Sequence, residues 1–386
     1  IYLIVAYLFG RMIFEVSRKR GSRFSPNLPA GALILIVVFA YGYHVVHIRS
    51  QGVDDASVWA TFGAQHILDH GHLPYGHYDV GDTYGPVLYL AHVPLVAAVE
   101  PVYVRNGQTM PLRPNAFEKA IPYETTRFGA VKTSAALCDA LVLLGLILIG
   151  YRCGNLPLGL TAAAVYGVSP YLAGPVGGLG WISHLFPTAA TLLALCWIRR
   201  PVVSGLLLAT GAWSLYYPAF LLPLWAGYHW GRWRRMAMFV AAVALFSFAM
   251  VIVLIAGIDI EGKSLSAIEK LRLFLDNTVG FQAQSSWFGF WAQHPKAAFI
   301  QPVVQVVYVV FCLALFVWPR QKRVHDVAAL SAAVIIATQL WKSHGGGTYI
   351  LWYLPFLILA FLAGPEIENL DGSAVSPGQR TDEEQT

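Results

Sequence analysis

The feature that most constrains this chain is its alternation of long apolar segments with short clusters of arginine and lysine. Residues 28–48, 125–149 and 236–257 are each long enough, as helices, to cross a hydrocarbon core roughly 30 Å thick. Hydrophobic residues make up 56% of the sequence and charged residues only 12%, which is too apolar a balance for a soluble domain. Since the backbone inside a bilayer must satisfy its own hydrogen bonds, these segments are expected to be helices.

The basic clusters indicate how the segments are oriented. Arginines and lysines gather at residues 18–23, 199–200, 232–235 and 320–323, and an even number of apolar segments separates each cluster from the next. All four clusters therefore lie on one side, which the positive-inside rule assigns to the cytoplasm. Residues 49–124 and 258–298 are then extracytoplasmic. The net charge of +5 follows from these clusters and does not indicate binding to nucleic acid.

One further hairpin consists of two short segments. Residues 202–213 and 218–230 supply about twelve helical residues each, which rise only about 18 Å, so they are expected to turn within the membrane. We predict an all-α polytopic membrane protein of about 10 to 11 membrane helices, some short or re-entrant, with two interfacial external helices. Residues 1–364 form one domain. Residues 365–386 are polar and acidic, which is typical of a disordered cytoplasmic tail.

Both external segments contain an amphipathic pattern that predicts one of the interfacial helices. In the first, Asp55 stands at the N-cap position of a helix that ends at Gly71. In the second, Ser266 and Glu269 have the spacing of a capping box. The predicted stripes are Trp59, Phe62, Gly63, His66 and Ile67 in the first helix and Ile268, Leu271, Leu275 and Val279 in the second.

Short motifs follow one another along the chain in an order that resembles a known family. They are GHLPYG at residues 71–76, GDTYGPVLYLAHVP at 81–94, LCDAL at 137–141, YP at 217–218, TVGFQ at 278–282, WFGFW at 287–291 and WYLPF at 352–356. With an external aspartate after an early membrane segment, this order resembles the GT-C superfamily of integral-membrane glycosyltransferases. Within it, the chain is most similar to actinobacterial mannosyltransferases that use polyprenyl-phosphate mannose.

The resemblance implies a GT-C-like fold over most of the chain and a multi-pass bacterial plasma-membrane enzyme whose active face is extracytoplasmic. Such an enzyme moves mannose or another hexose from a polyprenyl-phosphate donor to a lipid or glycan acceptor, with inversion at the anomeric carbon. It requires no cofactor.

The transfer needs a base that accepts the proton of the attacking hydroxyl. A carboxylate at the membrane boundary within hydrogen-bond reach of that hydroxyl meets this need. Asp55 is the first candidate, because its distance to Gly63 and Ala64 fits the family pattern better than that of Asp54. Asp54 as the base, or Asp55 as a helix cap alone, are the alternatives.

The leaving phosphate needs cations and hydrogen-bond donors near the outer boundary, where negative charge develops on it. Lys342 and His344, which precedes three glycines, fit this requirement, as do Arg127, Lys132 and Gln282. For Lys342 the alternative is a side chain that snorkels at a helix end.

Three more residues complete the predicted substrate contacts. His184 stands where the family pattern has an Asn-Asp pair, and Tyr84 is one of several external aromatic residues that anchor the interface or stack on sugar rings. Asp139 lies within an apolar segment, where a carboxylate costs about 2.5 to 3.5 kcal/mol on insertion scales. It must therefore face protein or water, either in a structural polar network or in contact with substrate.

The histidines of the first external segment suggest a separate possibility. His66 and His70 lie on one helical face, and further histidines and aspartates follow closely, so a divalent metal could assemble there. Surface histidines on an interfacial helix are the alternative. The same sequence also leaves open two other functions, a lipid or solute transporter (flippase) and a catalytically inactive relative of the glycosyltransferases.

Overall fold

The structure is a computed structural model. It describes residues 2–17, 28–50, 55–77, 84–99, 103–105, 108–110, 124–125, 127–172, 178–260, 263–279, 290–342 and 349–362. Asp54, Gln282, His344 and the predicted tail at residues 365–386 lie outside the described residues.

The described residues form helices almost throughout. In chain order the helices are α1 (Tyr2–Ser17), α2 (Ala30–Ser50), α3 (Asp55–His70), α4 (Pro86–Ala97), α5 (Arg127–Arg152), α6 (Leu156–Gly167), α7 (Ile182–Cys196), α8 (Pro201–Ala212), α9 (Leu222–Tyr228), α10 (Trp233–Gly257), α11 (Ala267–Val279), α12 (Phe290–Gln293), α13 (Gln301–Val317), α14 (Val324–Trp341) and α15 (Ile350–Leu362). Between α4 and α5, the strands β1 (Tyr103–Arg105), β2 (Gln108–Met110) and β3 (Glu124–Thr125) pair antiparallel in the order β2-β1-β3.

Five of the described helices are long and apolar enough to cross a membrane: α2, α5, α10, α14, and α13 together with the 3-10 turn Pro295–Ile300 before it. Shorter apolar helices, α4, α6, α7, α8 and α15, pack among them. The helical architecture is as predicted, and these five helices are consistent with a membrane protein. The count of about 10 to 11 membrane helices stays a prediction.

The helix α14 forms the centre of the bundle. All of its residues from 324 to 339 are buried, and it packs against α1, α9, α13 and α15. Alanines at 328, 329, 332 and 333 let these neighbours approach closely. In contrast, α10 and α13 expose large apolar side chains such as Leu245, Phe248 and Val306, as expected of faces in contact with lipid.

The bundle has two chemically different ends. At the basic end, Arg152 and Arg200 lie 4.3 and 4.8 Å from the centroid of Trp197, and Lys322 donates to the carbonyls of Phe316 and Pro319. The opposite end, which we call the site end, holds the N-termini of α7 and α15 and the C-termini of α8 and α14. Which side of a membrane each end faces stays a prediction.

The first predicted interfacial helix is more buried than its stripe suggests. In α3, residues 60–66 are all buried, and the helix packs against α4, α5 and α7. A Cβ atom on Gly63 would lie 2.2 Å from Cδ1 of Tyr89, so glycine is what permits the contact between α3 and α4. The buried helix α4, which sequence analysis treated as part of an external loop, covers the face that was expected to meet the interface.

The second predicted interfacial helix begins as expected. The side chain of Glu269 accepts from the backbone N–H of Ser266 at 2.8 Å and from its hydroxyl at 2.7 Å, and Ser266 Oγ accepts from the N–H of Glu269. This confirms the capping box at the start of α11. The protein-facing stripe differs from the predicted one, because α11 buries Phe274 and Thr278 and exposes Ile268 and Leu275.

Candidate functional site

The predicted base lies at the start of α3. Asp55 is the first residue of that helix, and the structure describes its backbone but not its side chain. The helix is held firmly, because it packs against α4, α5 and the helix α7 that carries His184. The fold therefore fixes the backbone from which Asp55 projects.

The motif around Tyr84 is anchored through its backbone. The N–H of Gly85 donates to the carbonyl of Ser214 at 3.0 Å, and the N–H of Val87 donates to the carbonyl of Trp213 at 3.3 Å. A Cβ atom on Gly85 would lie 1.9 Å from the carbonyl oxygen of Trp213, so no larger residue fits this approach. The hydroxyl of Tyr75 donates to the carbonyl of Tyr84 at 2.7 Å.

Lys342 follows directly after α14 and lies among aromatic rings. Its Nζ is 5.1 Å from the ring centroid of Tyr349, 5.3 Å from that of Tyr216 and 6.0 Å from that of Trp352. Within the described part of the chain, no carboxylate or hydrogen-bond acceptor contacts this ammonium group. Cation–π attraction replaces part of its lost hydration, and burial lowers the pKa of Lys342 to about 8. We call these four residues the Lys342 cage.

His184 adjoins the Lys342 cage. Its ring stacks on Tyr349 at 4.9 Å and on Trp352 at 5.4 Å between centroids, and the indole Nε1 of Trp352 donates to its Nδ1 at 2.5 Å. Because Nδ1 accepts this hydrogen bond, the neutral imidazole carries its hydrogen on Nε2. His184 thus presents a hydrogen-bond donor beside a cation, a pairing that suits an anionic ligand.

Sequence analysis missed the aromatic residues of the cage. Trp352 lies in the WYLPF motif and Tyr216 directly before the YP motif, and neither motif was expected to surround Lys342. Trp352 also stacks on Tyr217 at 4.4 Å. The hydroxyl of Tyr216 is buried and makes no hydrogen bond to the described residues, so the cage contains a polar group that a ligand can satisfy. The YP and WYLPF motifs are far apart in sequence, so the sequence alone does not indicate that they lie close together.

Two other predicted phosphate contacts, Lys132 and Arg127, lie in the first turns of α5. Lys132 donates from Nζ to the carbonyl of Arg49 at 3.4 Å, which holds it near the junction of α2 and α3. Arg127 is the first residue of α5, and its side chain lies outside the described atoms.

Asp139 belongs to a closed network. Its Oδ2 lies 2.8 Å from Nδ1 of His44, and its Oδ1 accepts from the hydroxyl of Tyr166 at 3.1 Å. Nε2 of His44 donates to the carbonyl of Gly167 at 2.9 Å. Both carboxylate oxygens are therefore occupied and the residue is fully buried. This arrangement favours the structural alternative for Asp139 over contact with substrate.

Four histidines form a second cluster at the end of α3. The ring of His66 lies 4.6 Å from each of those of His70, His72 and His77, and its Nε2 is 2.9 Å from Nδ1 of His72. Burial, together with the neighbouring His77, His72 and His70, lowers the pKa of His66 to about 3. His66 is therefore neutral at physiological pH.

Comparison with models of protein families, with curated proteins and with solved structures finds no match to this chain.

Proposed function

We propose that this protein is a membrane glycosyltransferase that moves a hexose, mannose first among them, from a polyprenyl-phosphate donor to a lipid or glycan acceptor. The observation that carries the proposal is the Lys342 cage: a lysine ammonium group among three aromatic rings with no described counter-charge. A cation without a counter-charge, partly removed from water, gains most from a ligand that brings a negative charge. A lipid phosphate supplies that charge.

The rings around Lys342 suit the rest of such a donor. Aromatic faces pack against the apolar face of a sugar or against the first isoprene units of a lipid chain. His184 adds a donor for a phosphate oxygen, and the hydroxyl of Tyr216, which makes no hydrogen bond to the described residues, adds another. The residues in and beside the cage therefore offer groups for each chemical part of a polyprenyl-phosphate sugar.

The proposed reaction follows from these roles. The acceptor hydroxyl attacks the anomeric carbon and forms the new glycosidic bond, while the bond from that carbon to the phosphate oxygen breaks. Asp55 takes the hydroxyl proton, and the departing lipid phosphate keeps the bonding electrons next to Lys342 and His184. General-base assistance of this kind contributes roughly 10²- to 10⁴-fold to a rate, and cationic stabilisation of the leaving phosphate adds to it.

The test measures transfer and donor binding separately, in purified protein reconstituted into vesicles. Asp55→Asn is expected to lower transfer from radiolabelled polyprenyl-phosphate mannose by about 100-fold or more while leaving binding of polyprenyl phosphate unchanged. Lys342→Gln is expected to weaken that binding by about tenfold or more.

Lys296→Gln serves as the matched control, because Lys296 is exposed and is not one of the cage residues, and it is expected to change neither quantity. Transfer that is unchanged in Asp55→Asn contradicts the assignment of the base. If the unmodified protein binds polyprenyl phosphate without transferring sugar to any lipid or glycan acceptor, an inactive relative is the better description. Movement of the lipid between leaflets without transfer would identify a flippase.

A further inference from the structure

The histidine cluster at the end of α3 plays no part in the proposed transfer, yet it has the geometry of a metal site. His66, His72 and His77 each offer one ring nitrogen, and these three atoms lie within 4.8 Å of one another. Nitrogens bound to one tetrahedral zinc ion at about 2.0 to 2.1 Å lie roughly 3.3 Å apart. The observed separation of 2.9 Å between His66 and His72 is already close to that value.

The fold holds the three rings in place from two directions. His66 is a buried residue of α3, and His72 and His77 lie in the turn that follows this helix. That turn is attached to the end of α10, because the N–H of Leu73 donates to the carbonyl of Gly257 at 2.6 Å. The cluster is thus assembled by tertiary contacts and not by helical spacing alone.

His77 also has the hydrogen-bonding partner that metal-binding histidines usually have. Its Nε2 lies 2.5 Å from the carbonyl oxygen of Asp259, and since a carbonyl oxygen only accepts, Nε2 carries the hydrogen. The lone pair is then on Nδ1. Such a hydrogen bond at Nε2 fixes the tautomer of His77 and makes Nδ1 a better metal ligand.

We propose that His66, His72 and His77 bind a divalent transition-metal ion of the zinc type. Three imidazoles suit zinc, copper or nickel, whereas calcium and magnesium require oxygen ligands. The fourth position is left to water or to His70, whose ring adjoins that of His66. The bound ion would tie the end of α3 to the segment that follows α10. The proposal does not depend on the protein being a glycosyltransferase.

The test uses the full chain purified without a polyhistidine tag, treated with chelator and then dialysed against Zn²⁺. We expect one tightly bound zinc ion per chain and no binding of Mg²⁺ under the same conditions. His77→Gln is expected to weaken zinc binding by more than about tenfold, because even outer partners of a metal site contribute about 10- to 100-fold. His294→Gln is the matched control, since His294 is exposed and outside the cluster, and it should bind zinc as the unmodified protein does.

A second measurement needs no variant. With Cu²⁺ in place of Zn²⁺, electron paramagnetic resonance counts the nitrogen ligands of the unmodified protein, and at least three are expected. Fewer than three nitrogens, no zinc bound after dialysis, or equal zinc affinity in His77→Gln and the unmodified protein would each overturn the proposal. Thermal unfolding without metal checks that His77→Gln is folded. If it is not, the copper spectrum of the unmodified protein tests the proposal alone.

Discussion

Two sites inside this bundle accommodate buried polar groups in opposite ways. The network of His44, Asp139 and Tyr166 satisfies every polar atom internally, whereas the Lys342 cage surrounds a cation with aromatic rings and, among the described residues, with no counter-charge. In an apolar environment the first arrangement stabilises the fold and the second costs stability unless a ligand completes it. The satisfied hydrogen bonds of Asp139 indicate a structural role, and the missing counter-charge is why we propose a ligand for Lys342.

The charge of the closed network explains why it can be buried so deeply. His44 donates through Nε2 to a carbonyl, so the hydrogen bond between Nδ1 and Asp139 contains one proton that either residue can hold. A neutral acid beside a neutral imidazole and a carboxylate beside an imidazolium both have zero net charge. The cost of a single charge within a membrane segment, about 2.5 to 3.5 kcal/mol, is therefore avoided.

The largest expected effect would come from opening this network. His44→Leu leaves Oδ2 of Asp139 and the carbonyl of Gly167 without their hydrogen bonds to His44, and we expect it to lower the free energy of unfolding by about 3 kcal/mol, measured by denaturant titration in detergent. Asp139→Asn is the matched control. Its amide can donate to Nδ1 of His44 and accept from Tyr166, so we expect a loss below about 1 kcal/mol. Equal losses in both variants would contradict the neutral form of the network.

The next effect concerns the charge of Lys342. With a pKa of about 8, the ammonium form that attracts phosphate is present below pH 8 and is lost as the pH rises through that value. Affinity for polyprenyl phosphate should fall several-fold between pH 7 and pH 9, measured by titration at constant ionic strength. Lys342→Arg removes the pH dependence, because a guanidinium group stays charged throughout this range. If the affinity of Lys342→Arg falls with pH as that of the unmodified protein does, a group other than Lys342 is responsible for the titration.

The smallest effect tests the hydrogen bond that orients His184, separately from the charge of Lys342. Trp352→Phe keeps an aromatic ring near Lys342 but removes the N–H that donates to His184. One hydrogen bond contributes about 0.5 to 1.5 kcal/mol, so binding of polyprenyl phosphate should weaken by about two- to tenfold.

Trp181→Phe is the control for this comparison. It removes a nearby indole N–H that makes no hydrogen bond to the described residues, and binding should not change. Equal losses in the two variants would show that the donated hydrogen bond is not what orients His184.

Local sequence patterns predicted the helices well because each pattern acts within a few residues. The capping box of Ser266 and Glu269 and the short helices α8 and α9 followed from spacing and length alone. The burial of α3 did not, since it depends on Gly63 meeting Tyr89 in another helix. The three-stranded sheet between α4 and α5 was missed because its strands are only two or three residues long.

The site was predictable only in part, for a related reason. Lys342 and His184 were singled out by their chemistry, but the rings that surround them come from α15 and from the turn after α8. The histidine cluster shows the same limit. Helical spacing paired His66 with His70, whereas the atoms that converge belong to His66, His72 and His77. Convergence of distant segments cannot be read from periodicity.

The central position of α14 has a consequence for how the protein is made. Its neighbour α1 is separated from it by about 300 residues of chain, which a ribosome takes roughly 15 to 60 s to synthesise. During that interval the face of α1 that packs against α14 in the finished bundle is without this partner. Among the helices that the structure describes, α1 therefore waits longest for the neighbour against which it packs most extensively.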